Sequence, residues 1–306
     1  MANPHAGDTP HWEAAFDYYY QDQVEAAFAE VTESGVGEGA DLLRWYRVIE
    51  AEFVTRKKSR TIDVTPWLQM EFVPDQLMGL EEELAQRTLA ACDEVAQRIG
   101  WSHGSQTLLS ILASETEAPW AANPYGYCVS KEPYEKICLP NYLVDDPLEF
   151  GQAVAHEYAH VISTNIADEY APRWVEEAVS VLVERRFDRG TWSDFKADRT
   201  RWLSERELEF ALTDRTEDEE ARKEEIWNAY QQAGWIGRYL AELKGENSLG
   251  AFLREIANES PVANILRSFR GQDRTDRALR QVYGVSKREL FDRAYDWMCQ
   301  ASVFSD

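Results

Sequence analysis

Hydrophobic spacing divides the chain into a helical opening, a short run of strands and a long helical remainder. From Thr9-Pro10 apolar residues recur at helical intervals for about twenty residues, rich in Phe, Tyr and Ala. The run Tyr18-Tyr19-Tyr20 reads as packing surface. Gly35-Val36-Gly37-Glu38-Gly39 breaks the pattern. A second helix is predicted from Asp41 to about Thr55, with Arg56-Lys57-Lys58 suiting its C-terminus. Between Thr61 and Val73 the period falls to two, with Leu68, Met70 and Phe72 on one side: a strand. A long amphipathic helix follows from about Gln76 to Ile99 and stops at Gly100. Thr107–Ala113 reads as the next strand, and Tyr125–Ser130 with Tyr134–Tyr142 as a hairpin around Pro133. Helical spacing then takes over at 147–164, from Pro172 to about Arg186, and over 193–211, 217–243, 247–257, 261–268, 273–283 and 286–300. The acidic run Asp214–Glu225 reads as an exposed loop and helix start.

The helix at 147–164 carries the chemistry. Asp146 suits its N-cap, Pro147 its first position, and Glu149 can reach back. Phe150, Val154, Tyr158, Val161 and Ile162 form one apolar stripe. On the opposite side stand His156 and His160, among the small residues Ala153, Ala159 and Ser163. A surface helix would normally carry charges there, so this face reads as the floor of a cleft. Residues 156–160 spell H-E-x-x-H. Side chains four apart on a helix point the same way, so the two imidazoles can grip one zinc ion. Glu157 lies about 100° around the helix, beside the metal, where it can take a proton from zinc-bound water. The plain alternative is a solvated helix face with two histidines.

Composition narrows the setting. With 306 residues, 44% hydrophobic and 12% aromatic, the chain is expected to fold around a full core in one or two domains. A net charge of −23 argues against nucleic acid and anionic membrane as partners. No signal peptide is read in Met1–Pro10, and no apolar run is long enough to span a membrane. Cys92, Cys128, Cys138 and Cys299 are too scattered for a disulfide scaffold. Cys128 and Cys138 could face each other across the hairpin, though reduced thiols and a cytoplasmic setting are the expectation. The expected divisions are a helical cap over 1–60, an α/β part over 61–165 and a helical part over 166–306.

Catalytic zinc takes three protein ligands plus water. His5, His11 and His103 lie outside the motif, and residues 161–171 hold no further histidine. A carboxylate on the next helix is therefore expected, with Glu176 and Glu177 as candidates that helical spacing does not separate.

The segment Arg173-Trp174-Val175-Glu176-Glu177-Ala178-Val179-Ser180 resembles the Trp-x-x-Glu-Gly-x-Ala helix of peptidase MA-like gluzincins, a branch of the thermolysin-type zincins. Ala178 replaces the usual glycine, and Ser180 a frequent alanine. The likeness runs from about Leu108 to Trp297 and includes a strand ending Leu139-Pro140, the motif helix and Tyr283-Gly284-Val285-Ser286. It implies an α+β, zincin-like fold: a small mixed sheet with the active-site helix, then a mostly helical C-terminal part. It also implies zinc held by His156, His160 and Glu177, and hydrolysis of peptide bonds with Glu157 as general base. Endopeptidase action on a peptide or protein substrate is expected, since no Gly-x-Met-Glu-Asn-type segment precedes the motif. Tyr230, in Asn228-Ala229-Tyr230-Gln231, takes a family-like position for stabilising the oxyanion; a core tyrosine is its plain alternative. By the same resemblance, strand 135–140 would form the upper rim of the cleft and pair with substrate. The competing function is a catalytically idle zincin-like protein that binds peptides.

Overall fold

Three helices open the chain: α1 (Pro10–Tyr20), α2 (Val24–Ser34) and α3 (Ala40–Arg56). This computed structural model describes residues 10–34, 40–116, 126–131, 133–185, 198–213, 222–258 and 273–300. The glycine-rich break at 35–39 and the expected helix at 261–268 lie outside them. The first expected helix is two helices, because Asp22 adopts a left-handed φ of 59°. No glycine or proline marks that break. Asp22 earns its place through its carboxylate, which accepts from Arg56 Nη2 at 2.7 Å and from the Tyr134 hydroxyl.

The expected strand at 61–73 is likewise two, β1 (Arg60–Asp63) and β2 (Leu68–Phe72), paired antiparallel. The chain reverses around Pro66, where the N–H groups of Val64 and Thr65 donate to the Leu68 carbonyl at 2.9 and 3.0 Å. After a single turn, α4 (Pro74–Leu77), left-handed Met78 and Gly79 restart the chain as α5 (Glu81–Ile99). That helix stops at left-handed Gly100, as its pattern predicts. β3 (Thr107–Ile111), β4 (Tyr127–Lys131) and β5 (Tyr134–Leu139) complete a mixed sheet in the order β1-β2-β3-β5-β4.

The hairpin's register corrects the expected place of its second strand and bears out the reduced state expected of its cysteines. β5 is not an edge strand: it pairs parallel with β3 and antiparallel with β4, so β4 is outermost. Cys128 stands opposite Ile137, and Cys138 opposite Tyr127. The two thiols therefore point to opposite faces of the sheet and cannot bridge. All four cysteines are free.

Among the described residues seven longer helices follow: α6 (Pro147–Ala167), α7 (Arg173–Glu184), α8 (Glu205–Thr213), α9 (Lys223–Lys244), α10 (Asn247–Ala257), α11 (Arg274–Tyr283) and α12 (Lys287–Gln300). Before α8, the expected helix from 193 is replaced over 199–201 by one 3-10 turn, closed by the Asp198 carboxylate on the Thr200 N–H. The described residues form an α+β structure with a small mixed five-stranded sheet. It groups into two compact units, one of residues 1–93, 103–157 and 215–222, the other of 94–102, 158–214 and 223–306.

In the first unit the opening helices and the sheet share one core, in which Trp12, Phe16, Tyr19 and Trp45 meet Leu112, Tyr127, Val129 and Cys138. A buried ionic network lies in the same unit. Glu52 Oε2 of α3 receives Lys131 Nζ and Lys136 Nζ, each at 2.8 Å, with all three side chains fully buried. Lys136 also reaches Glu71 at 3.3 Å, and Lys131 reaches Asp22 at 3.6 Å. With Arg56 on Asp22, three cations face three carboxylates. Such a set is tolerable in low dielectric only because it is complete.

Candidate metal centre

The motif helix α6 starts where its cap residues predict. The Asp146 carboxylate accepts the N–H groups of Leu148 and Glu149 at 2.9 and 3.1 Å, with Pro147 first in the helix. It runs three residues beyond the expected end, to Ala167, and turns through left-handed Asp168 and Glu169. The apolar stripe of Phe150, Val154, Tyr158, Val161 and Ile162 is buried as expected. The histidine side is buried too: His156, Glu157 and His160 keep 6%, 2% and 5% of their surface. With this side buried as well, the small Ala153, Ala159 and Ser163 belong to a packed site and not to the open cleft floor that the pattern predicts.

α7 brings the third group. Pro172 lies just ahead of it, in extended conformation, and supplies no side-chain cap. The cap comes from α8: Glu209 Oε1 accepts the Arg173 N–H and Oε2 the Trp174 N–H, both at 3.0 Å. A carboxylate at the positive end of a helix dipole is favourable twice over, as acceptor and as charge. The other end is served by Arg98, whose Nη1 donates to the Val183 carbonyl at 2.9 Å while its fork holds Glu246. Trp174 is fully buried and packs edge-on against Phe291 of α12 at 5.4 Å. Along its length α7 meets α9, and Gly237 comes so near that a Cβ there would lie 2.2 Å from the Ala178 carbonyl oxygen. Both ends and one side of the helix carrying Glu177 are thereby fixed.

His156, His160 and Glu177 each offer a ligand atom, and these atoms all lie within 4.8 Å of one another. His160 Nε2 and Glu177 Oε1 are 3.6 Å apart. That is too long for a hydrogen bond. It is close to the spacing of about 3.4 Å that two donors adopt around one tetrahedral zinc, given bonds near 2.1 Å. The donor set of two imidazoles and a carboxylate, drawn together in a buried place, suits such an ion chemically. Between the two adjacent glutamates the geometry chooses: Glu177 is fully buried beside His160, whereas Glu176 keeps 14% side-chain exposure and pairs with Arg173 at 3.1 Å.

Arg173 is a neighbour that motif reading passes over. Its Nη2 lies 2.7 Å from Glu177 Oε1, while Nη1 takes Glu176. The Glu177 contact is one of charge and proximity, not an aligned hydrogen bond. Gly126 is another. It enters β4 with φ 152°, and a Cβ there would press Leu139 and the Cys138 carbonyl and come within 3.4 Å of Glu157 Cγ. The start of β4 thus runs directly beside Glu157. Burial first, then the carboxylates of Glu135 and Glu157, push the Cys128 thiol up, so it stays protonated there.

His11 and His103 are engaged elsewhere. His11 Nδ1 meets Glu30 at 2.7 Å, forming with Glu33 a second group of ligand types at the surface. His103 stacks on Trp67 at 3.7 Å and bonds Asp93 at 2.9 Å. His5 lies outside the described residues. Tyr230 is half-buried on α9, seven residues before Gly237 and so on the same face that meets α7. Two turns of helix separate it from the Gly237–Ala178 contact by about 10 Å along the axis.

Comparison with protein-family models, curated proteins and solved structures finds no match to this chain. Among the described residues no helix is long and apolar enough to cross a membrane.

Proposed function

We propose that this protein is a zinc-dependent metallopeptidase of the gluzincin type, acting on peptide or protein substrates. The observation that carries the reading is the meeting of Glu177, from a separate helix, with the two motif histidines. Helical spacing alone aligns His156 with His160; it does not bring a buried carboxylate to them. Zinc held by His156, His160 and Glu177 would supply a Lewis acid for the scissile carbonyl and an acidified water as nucleophile. Glu157, on the same turn and off the ligand line, would be the group to accept that water's proton at its carboxylate and to return a proton to the leaving amine nitrogen. The burial of Glu157 keeps bulk water from competing for that proton.

The sheet supplies a way to hold an extended substrate. β4 is the outermost strand, antiparallel to β5, and its first residues pass Glu157. A peptide added along that edge would be held by its backbone beside Glu157 without much reading of sequence. This role passes from β5, where sequence resemblance puts it, to β4. Tyr230 remains the candidate donor to the oxyanion, on the face of α9 turned to the helix of Glu177.

The test combines metal analysis with peptide-library cleavage. Wild type should hold one zinc per chain and cleave. Glu157→Gln should keep zinc and lose activity by at least about a hundredfold, the upper scale of a general base being near ten-thousandfold. Glu177→Ala should lose zinc, and Glu176→Ala should not. Equal zinc in the two alanine variants would overturn the ligand assignment, and zinc without any cleavage by wild type would leave an idle peptide-binding protein.

A further inference from the structure

We propose that Arg173 is a positioning residue that holds Glu177 in its ligating pose and keeps Glu176 out of it; the inference rests on the zinc reading above. Two consecutive glutamates on one helix are about 100° apart, and a modest change in α7's rotation or in side-chain torsions would let them trade places. The guanidinium removes that freedom. It sits at the first position of α7, three residues before Glu176 and four before Glu177, the two spacings at which helix side chains meet. Its two terminal nitrogens address the two carboxylates separately, Nη1 taking Glu176 Oε2 at 3.1 Å and Nη2 standing 2.7 Å from Glu177 Oε1.

The choice of oxygen matters. Oε1 of Glu177 is the same atom that stands 3.6 Å from His160 Nε2. Opposite charge lets the guanidinium tether Oε1 from one side while the same oxygen stands near the imidazole of His160 on the other. The position of Arg173 is itself secured. Its backbone N–H is bound by Glu209, and its side chain keeps 30% exposure, which lets the cation stay partly hydrated. A lysine could not perform the task equally, because one ammonium on a flexible stem cannot address two carboxylates in a fixed plane.

Outer-shell partners of metal ligands typically contribute ten- to hundredfold to affinity. Competition with a zinc chelator should therefore show the zinc dissociation constant of Arg173→Ala raised about 10–100-fold, with Arg173→Lys between it and wild type. Glu176→Gln cuts only the other prong and should shift it no more than a few-fold. The cobalt-substituted Arg173→Ala protein should also show an altered visible d–d band, reporting a changed ligand arrangement that loss of a surface ion pair would not produce. Thermal unfolding of the metal-free variants, within a few degrees of wild type, establishes that they fold. Unchanged affinity and an unchanged cobalt band in folded Arg173→Ala would overturn the proposal, as would tighter binding, which would make the arginine a competitor of the metal. In either case a zinc-binding wild type leaves the peptidase reading standing. A wild type that binds no zinc overturns both.

Discussion

At the scale of single residues, a few atoms decide whether the site exists. Gly237 is the clearest case. Its missing Cβ is what permits α9 to touch the Ala178 carbonyl, one residue from Glu177. Gly237→Ala forces the helices apart and should destabilise by about 2–3 kcal/mol, in the range of overpacked cores. Thermal unfolding checks the cost, and a parallel loss of zinc affinity would show that the displacement reaches Glu177. Helical periodicity found His156, His160 and their apolar counter-face, because both are set by neighbours within two turns. It did not separate Glu176 from Glu177. That choice depends on which carboxylate the partner helix meets, and the pattern within α7 carries no record of it.

At the scale of elements, α7 is held by groups far away in the chain. Glu209 binds its first N–H groups and Arg98 its last carbonyls. Glu209→Ala should lower stability by about 1–2 kcal/mol, the usual scale for a lost N-cap. Because the freed turn includes Arg173 and leads into Glu177, zinc affinity should fall as well; chelator competition beside denaturant unfolding measures both. Local signals did mark several boundaries: Asp146-Pro147 at the start of α6, Gly100 at the end of α5 and the turn before Tyr134. The failures share a cause. Asp22, Met78 and Thr65-Pro66 break or reverse the chain where hydrophobic spacing continues through them. At Asp22 the compensation is an ion pair with Arg56, thirty-four residues on, beyond the reach of any local window.

At the scale of the whole molecule, the buried charges of the first unit tie its stability to pH. Burial would push the Glu52 carboxyl up, but Lys131 and Lys136 outweigh it and hold that carboxyl well below the usual range. Glu71, against Lys136, Ser110 and Arg56, is also lowered despite burial. A folded pKa below the unfolded one means stability that is complete above the unfolded value of about 4.3 and lost as pH falls through the folded one. Urea midpoints should therefore drop steeply below about pH 4. Glu52→Gln, which takes from two buried ammonium groups the carboxylate they share and leaves them only Glu71 and Asp22, should cost about 3–5 kcal/mol at pH 7 and flatten the acid dependence. Equal midpoints for variant and wild type at pH 7 would remove the network from any account of stability. The same network makes the opening helices part of the sheet's own core, since Glu52 of α3 is the acceptor both strand lysines share.

Sequence by itself determined the motif helix, its cap, its two aligned imidazoles and the α+β character of the chain, because each follows from spacing within a few residues. Tertiary structure alone decided that β4 and not β5 lies at the sheet edge, that Glu177 and not Glu176 meets the histidines, and that Arg173 stands behind it. Those are matters of which distant segments come together. Chain entropy leaves such pairings open until burial and charge compensation over the folded chain select one.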